Sequence, residues 1–178
     1  MSVENLIRDL HERILLGESG VSDLLGGTEP VPGWYGYALS DLALVIDDAA
    51  KIEFVDGATL GPGQESASAA HSARIVVFTT SLVVEIQGHQ TDEGVGTHAT
   101  TVRSRGGLVD AVVGAGRSAT DHDVSGSRSP WPGHVRVELH YADGRTISLP
   151  LRSEARDFRY SERLRAYLPS LLNDLHRA

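Results

Sequence analysis

At 178 residues, 40% of them hydrophobic, the chain is long enough for one well-buried domain and short for two, so a single domain with decorations is expected. The absence of cysteine excludes disulfide frameworks, thiolate metal sites and cysteine nucleophiles. The net charge of -8 is unevenly placed: residues 1–65 carry -9, residues 66–133 carry -1 and residues 134–178 carry +2, and an acidic first third argues against a broad nucleic-acid footprint.

Val3, Leu6, Ile7, Leu10 and Ile14 recur at helical spacing with Glu4, Arg8, Asp9, Glu12 and Arg13 between them, so residues 3–16 read as an amphipathic helix closed by Gly17. These charges are unlike a signal peptide, and the longest apolar run, IVVFTTSLVV, is too short to span a bilayer. The expectation is a cytoplasmic protein without a membrane span. A turn-rich stretch leads to WYGYALSDLALVIDD, whose aromatic and aliphatic density predicts one or two strands. KIEFVDG predicts another, and GPGQESASAAHS a flexible connection. Ile75, Val76, Val77 and Phe78 are apolar on both faces, as in a central strand. Beyond Thr79, Thr80 and Ser81, Leu82, Val84 and Ile86 alternate with Glu85 and Gln87, which predicts a tight hairpin or one long bent strand. THATTVRSR alternates weakly, LVDAVVGAG is a short apolar strand, and RSATDHDVSGSRSPWPG is a long polar loop.

In HVRVELHYADGRTISLPL, Asp143-Gly144 between two alternating runs is a strong hairpin signal. A two-residue turn would set Leu139 opposite Ser148 and split the apolar residues between two faces. A three-residue loop, with Ala142 and Asp143 in a type I turn and Gly144 left-handed, pairs Leu139 with Ile147, Val137 with Leu149 and Val135 with Leu151. All the apolar side chains then share one face, and Arg136, Glu138, His140, Thr146 and Ser148 show to solvent. At the end of the chain Leu164, Leu168, Leu171, Leu172 and Leu175 predict one buried helical stripe after a cap at Ser161. Pro169 predicts a kink, or a restart near Leu168.

Short antiparallel strands followed by one amphipathic helix occur in the order IVVFTTSLVVEI, LVDAVVGAG, HVRVELHYADGRTISLPL and SERLRAYLPSLLNDL. From Trp34 to Ala178 this order resembles the bacterial pleckstrin-homology-like domains. The resemblance implies a partly open, bent barrel of about seven strands closed by the helix, with no catalytic signature and with lipid head groups, peptides or proteins as ligands. The chain departs from that family in its N-terminal helix and two long loops, and it lacks a Lys-rich first hairpin, which argues against phosphoinositide binding. The fold class expected is therefore α+β: an antiparallel sheet or partly open barrel closed by a C-terminal amphipathic helix, with an additional N-terminal helix. Its organisation would be residues 1–33 as helix and linker and residues 34–178 as one antiparallel β domain with the C-terminal helix.

Asp121, His122 and Asp123, with His134 and His140 downstream, are the most suggestive metal ligands, and His89, His98, Asp92 and Glu93 form a second group. Adjacent residues of an extended loop point apart, and no spaced ligand motif of the His-Glu-x-x-His kind occurs, so a solvated loop is the better reading. Gly61 to Gly63 and Gly114 to Gly116 match no nucleotide fingerprint and read as turns, and Ser125 has no nucleophile-elbow pattern around it. No cofactor, metal or catalytic residue is assigned. Arg152, Arg156, Arg159 and Arg163 would line one face of a helix beginning near Ser153, interleaved with Glu154, Asp157 and Glu162, and are the partner-binding residues selected. Trp34, Tyr35 and Tyr37 read as core packing or a contact surface. The functional expectation is a noncatalytic binding or scaffolding module for a protein or peptide partner, with self-association left open. The alternatives are a small metal-dependent hydrolase using loop His and Asp residues, and nucleic-acid binding through the C-terminal arginines.

Overall fold

The spacing of Leu6, Leu10 and Ile14 requires a helix with one buried face, and α1 (Val3–Leu16) buries these three side chains. The structure is a computed structural model and describes residues 3–16, 32–60, 69–91, 95–116, 133–151 and 158–176. Its contacts divide the chain into two compact units, residues 1–105 and residues 106–178. The α+β class is as expected: open antiparallel sheets, an N-terminal helix, and a C-terminal helix packed on strand.

In the first unit β1 (Ile52–Leu60), β2 (Ala69–Thr79), β3 (Leu82–Thr91) and β4 (Gly96–Ser104) form one antiparallel sheet in the order β1-β2-β3-β4. The doubly apolar run of β2 has the position it requires: β2 is flanked by β1 and β3, and Ile75, Val76, Val77 and Phe78 are all fully buried. β2 and β3 form the tight hairpin, and the Thr79 hydroxyl accepts the Leu82 N–H at 2.9 Å across the turn. Ala73, Ile75 and Val77 of β2 and Val84 and Ile86 of β3 face α1 and a second helix, and together they make the core of the unit. The N-terminal helix is therefore a core element of this unit.

That second helix corrects the strand expected at residues 34–48. Gly33–Val45 is α2, which follows Pro32 and ends where Ile46 turns extended. Trp34, Tyr35, Ala38, Leu39 and Leu42 recur with helical period and are buried, and Ala38, Leu39, Leu42 and Ala43 are strong helix formers. Exposed Tyr37 and Leu44 lie on the opposite face and conceal that period in the sequence. The Trp34 indole lies flat on β3 at Gly88, where a β-carbon would fall inside the van der Waals surface of the ring. Tyr35, also buried, joins α2 to α1 through a 3.1 Å hydrogen bond between its hydroxyl and His11 Nδ1, and burial pushes its phenol pKa up.

In the second unit β5 (Leu108–Ala115), β6 (Val135–Tyr141) and β7 (Thr146–Leu149) form an antiparallel sheet in that order. The register is the one that gathers the apolar face: Leu139 pairs with Ile147 and Val137 with Leu149. Gly144 has φ +81°, its N–H donates to Tyr141 O at 2.9 Å, and Tyr141 N–H donates to Arg145 O at 2.9 Å, the three-residue loop with a bulge. The ladder stops at Leu149: the Val135 N–H, which a pair with Leu151 would use, donates instead to the Ser161 hydroxyl, so the expected pair of Val135 with Leu151 is not formed.

The C-terminal helix, α3 (Phe158–Asp174), differs from expectation in its start and in its buried face. It begins before Ser161, which lies inside it, buried, with its hydroxyl accepting the Val135 N–H at 3.4 Å; Ser161 ties α3 to β6 and caps nothing. Pro169 lies within the helix with no restart at Leu168. The buried stripe is Tyr160, Leu164, Tyr167, Leu171 and Asp174, at steps of four, three, four and three, while Leu168 and Leu175 are half-buried and Leu172 is exposed. The aromatic residues rotate the buried face away from the one the leucines alone predict.

Candidate functional site

Of the four selected arginines, Arg152 and Arg156 lie outside the described residues. Arg159 and Arg163 stand one turn apart on α3, exposed and half-buried, and neither is without a partner inside the chain. Asp121, His122, Asp123, Asp92 and Glu93 also lie outside the described residues. His89 and His98 sit on neighbouring strands but on opposite faces of the sheet, as the pairing of Gly88 with His98 dictates. His140 contacts Glu138 and Thr146 on the polar face of the second hairpin. No group of three or more potential metal ligands occurs among the described residues.

Two imidazoles do have directed partners. His89 Nδ1 is 2.8 Å from the Ser72 hydroxyl, a direct cross-strand pair between β2 and β3. Among the described residues no carboxylate joins that pair, so it lacks the group that would orient a base toward a nucleophile. His98, on β4, places Nε2 3.0 Å from Asp41 Oδ2 on α2, and Thr100 donates its hydroxyl to the same oxygen at 2.7 Å. A carboxylate only accepts, so Nε2 carries the proton in that bond. The Tyr37 ring lies over the His98 ring at 6.2 Å between centroids and 12° between planes. The Thr100 hydrogen bond, with smaller contributions from His98, holds the Asp41 carboxyl below its ordinary pKa.

These contacts fix α2 along β4, the edge of its sheet among the described residues. The margin is apolar and open: Tyr37 is 69% exposed and Leu44 85% on α2, and Val102 is 41% exposed on β4. Val95, next to Trp34's neighbour Gly96, is also exposed. Sequence reading offered Tyr37 as core packing or a contact surface and missed the rest of this site. Its signal was the apolar residues on the face of α2 away from the core, visible only once residues 33–45 are recognised as helical. Among known proteins the chain matches no family model, no curated protein and no solved structure.

Proposed function

We propose that the chain is a noncatalytic binding or scaffolding module for a protein or peptide partner. The observation that carries this reading is the margin between α2 and β4, where large apolar side chains stand exposed on two packed elements beside a strand edge that is open among the described residues. Exposed apolar residues scattered singly are ordinary, but their concentration beside an edge suits the capture of another chain. Four antiparallel strands, then three, then a closing helix support the pleckstrin-homology-like resemblance, whose ligands include peptides and proteins. No helix among the described residues is long and apolar enough to cross a membrane, and the proposed setting is the cytoplasm.

The test is selection of a displayed random-peptide library on the full-length chain, followed by calorimetry with the enriched sequences. Enrichment of related peptides with dissociation constants of about 1–100 μM fits a module of this kind. The reading falls if no peptide is enriched while the protein hydrolyses an ester or phosphoester in a chelator-sensitive manner.

A further inference from the structure

The backbone groups that β4 leaves open follow from its pairing with β3. Thr91 N–H donates to Val95 O at 3.0 Å and Arg105 N–H to Ser81 O at 2.9 Å, in register with the β3–β4 ladder. The odd-numbered residues of this segment therefore turn their N–H and C=O toward β3, and His98, Thr100 and Val102 turn theirs outward. The side chains of the same three residues lie on the face that carries α2, as the contacts of His98 and Thr100 with Asp41 require.

α2 presents a matching row. Tyr37, Asp41 and Leu44 occupy positions i, i+4 and i+7, one face of the helix, spaced by roughly 6 and 4.5 Å along its axis. A strand added to β4 would place its alternate side chains about 6.8 Å apart over that row. The first and third would meet Tyr37 and Leu44, and the middle one Asp41. Both bonds to Asp41 end on Oδ2, and its side chain is 38% exposed, which leaves Oδ1 open among the described residues. The surrounding unit, residues 1–105, holds fifteen acidic and six basic side chains.

We infer that β4 accepts an extended, basic segment of a partner protein as a fifth strand, with apolar side chains against Tyr37 and Leu44 and a Lys or Arg between them at Asp41. The ligand pattern is apolar-x-basic-x-apolar, which reads the same in either strand direction. Main-chain hydrogen bonds to His98, Thr100 and Val102 supply the common part of the affinity, and the α2 row supplies selectivity. This rests on the binding-module reading and names its site and ligand chemistry.

The experiment measures fluorescence anisotropy of the full-length protein with the capped peptide TVTRTVT, its Arg-to-Glu counterpart TVTETVT, and two N-methylated forms carrying the methyl groups on one or the other alternate set of residues. Expected are binding of TVTRTVT, at least tenfold weaker binding of TVTETVT, collapse of that difference in Asp41→Asn, and about tenfold weaker binding to Leu44→Glu and to Tyr37→Ala. The backbone readout is phase: one N-methylated peptide loses binding and the other retains it. Equal effects of the two methylation patterns, or indifference to both Leu44→Glu and Tyr37→Ala, overturn the proposal. If library-selected peptides bind Leu44→Glu as tightly as the parent, the module reading stands and this site falls. If neither selected nor designed peptides bind, both fall. A dimer that Leu44→Glu splits, with no peptide bound, overturns the peptide occupant in favour of a second copy.

Discussion

Gly88→Ala adds one carbon directly beneath the Trp34 indole, against its Cδ2, Cε2 and Cε3 atoms. Ordinary carbon–carbon contact is about 3.5–4.0 Å, so the ring has to retreat by about an ångström or more. It has little room to do so, because Trp34 is fully buried in one core with Leu10, Ile14, Leu42 and Ile86. Overpacking a core costs about 1–3 kcal/mol, and losing a buried tryptophan's packing altogether about 3–5 kcal/mol. The expected loss is about 2–4 kcal/mol, a large part of a typical domain's 5–15 kcal/mol. In a strand free of the indole the same change would stabilise by about 0.5–1 kcal/mol, so the sign of the effect is diagnostic. Urea unfolding in a Trp131→Phe background leaves Trp34 as the fluorescent reporter, since the chain has 2 tryptophans. The midpoint should fall with an unchanged slope. In variants that carry Trp34→Leu, followed by circular dichroism because no tryptophan remains, the loss from Gly88→Ala and Trp34→Leu together should be less than the sum of the two separately. A midpoint unchanged or raised in Gly88→Ala refutes the reasoning. Because Trp34 seats the first turn of α2, the same variant should also weaken TVTRTVT binding.

Gly144→Val forces a β-branched side chain to φ +81°, and thermal melting should show a loss of about 1 kcal/mol or more. Leu164→Ala should cost about 2–5 kcal/mol, since its side chain is fully buried, whereas Leu172→Ala, at an exposed position, should change stability by less than about 0.5 kcal/mol; a comparable loss at both would refute the observed rotation of α3. Asp41, held below the ordinary carboxylate range chiefly by Thr100, contributes stability that is complete above that range and is lost as pH falls through its lowered folded-state value. Asp41→Asn should therefore flatten the most acidic part of the pH–stability curve, as read by melting temperature across the acid range.

The elements that were legible in the sequence are those whose local pattern has one physical solution. Six apolar residues flanking Asp143-Gly144 can share a face in only one register, and the turn chemistry permits that register. The continuous apolar run of β2 could only be a strand covered on both sides. α3 was half legible. Its leucines announced a helix, but Tyr160 and Tyr167 outweigh them in volume and settle which face is buried, and the value of Ser161 as a cap depended on a boundary that β6 moves by taking its hydroxyl as an acceptor. The arginine face depended on a helix start near Ser153; of its four residues only Arg159 and Arg163 lie among the described residues, both on α3.

The misreading of α2 and the invisibility of the site have one cause. A helix on the outside of a sheet ordinarily reveals its period because the face turned from the core is polar. Here Trp34, Tyr35, Ala38, Leu39 and Leu42 satisfy the core, while Tyr37 and Leu44 keep the outer face apolar, so the segment reads as uniformly hydrophobic and its aromatic residues favour a strand assignment. Stability does little to account for those outer residues: at 69% and 85% exposure, Tyr37 and Leu44 remove little apolar surface from water on folding and so contribute little. Between them Asp41 is spent on holding β4 through His98 and Thr100, which positions the edge and the row relative to each other. A position that departs from the pattern demanded by folding, and whose neighbours are fixed by polar contacts the core does not need, is where a binding function is best sought.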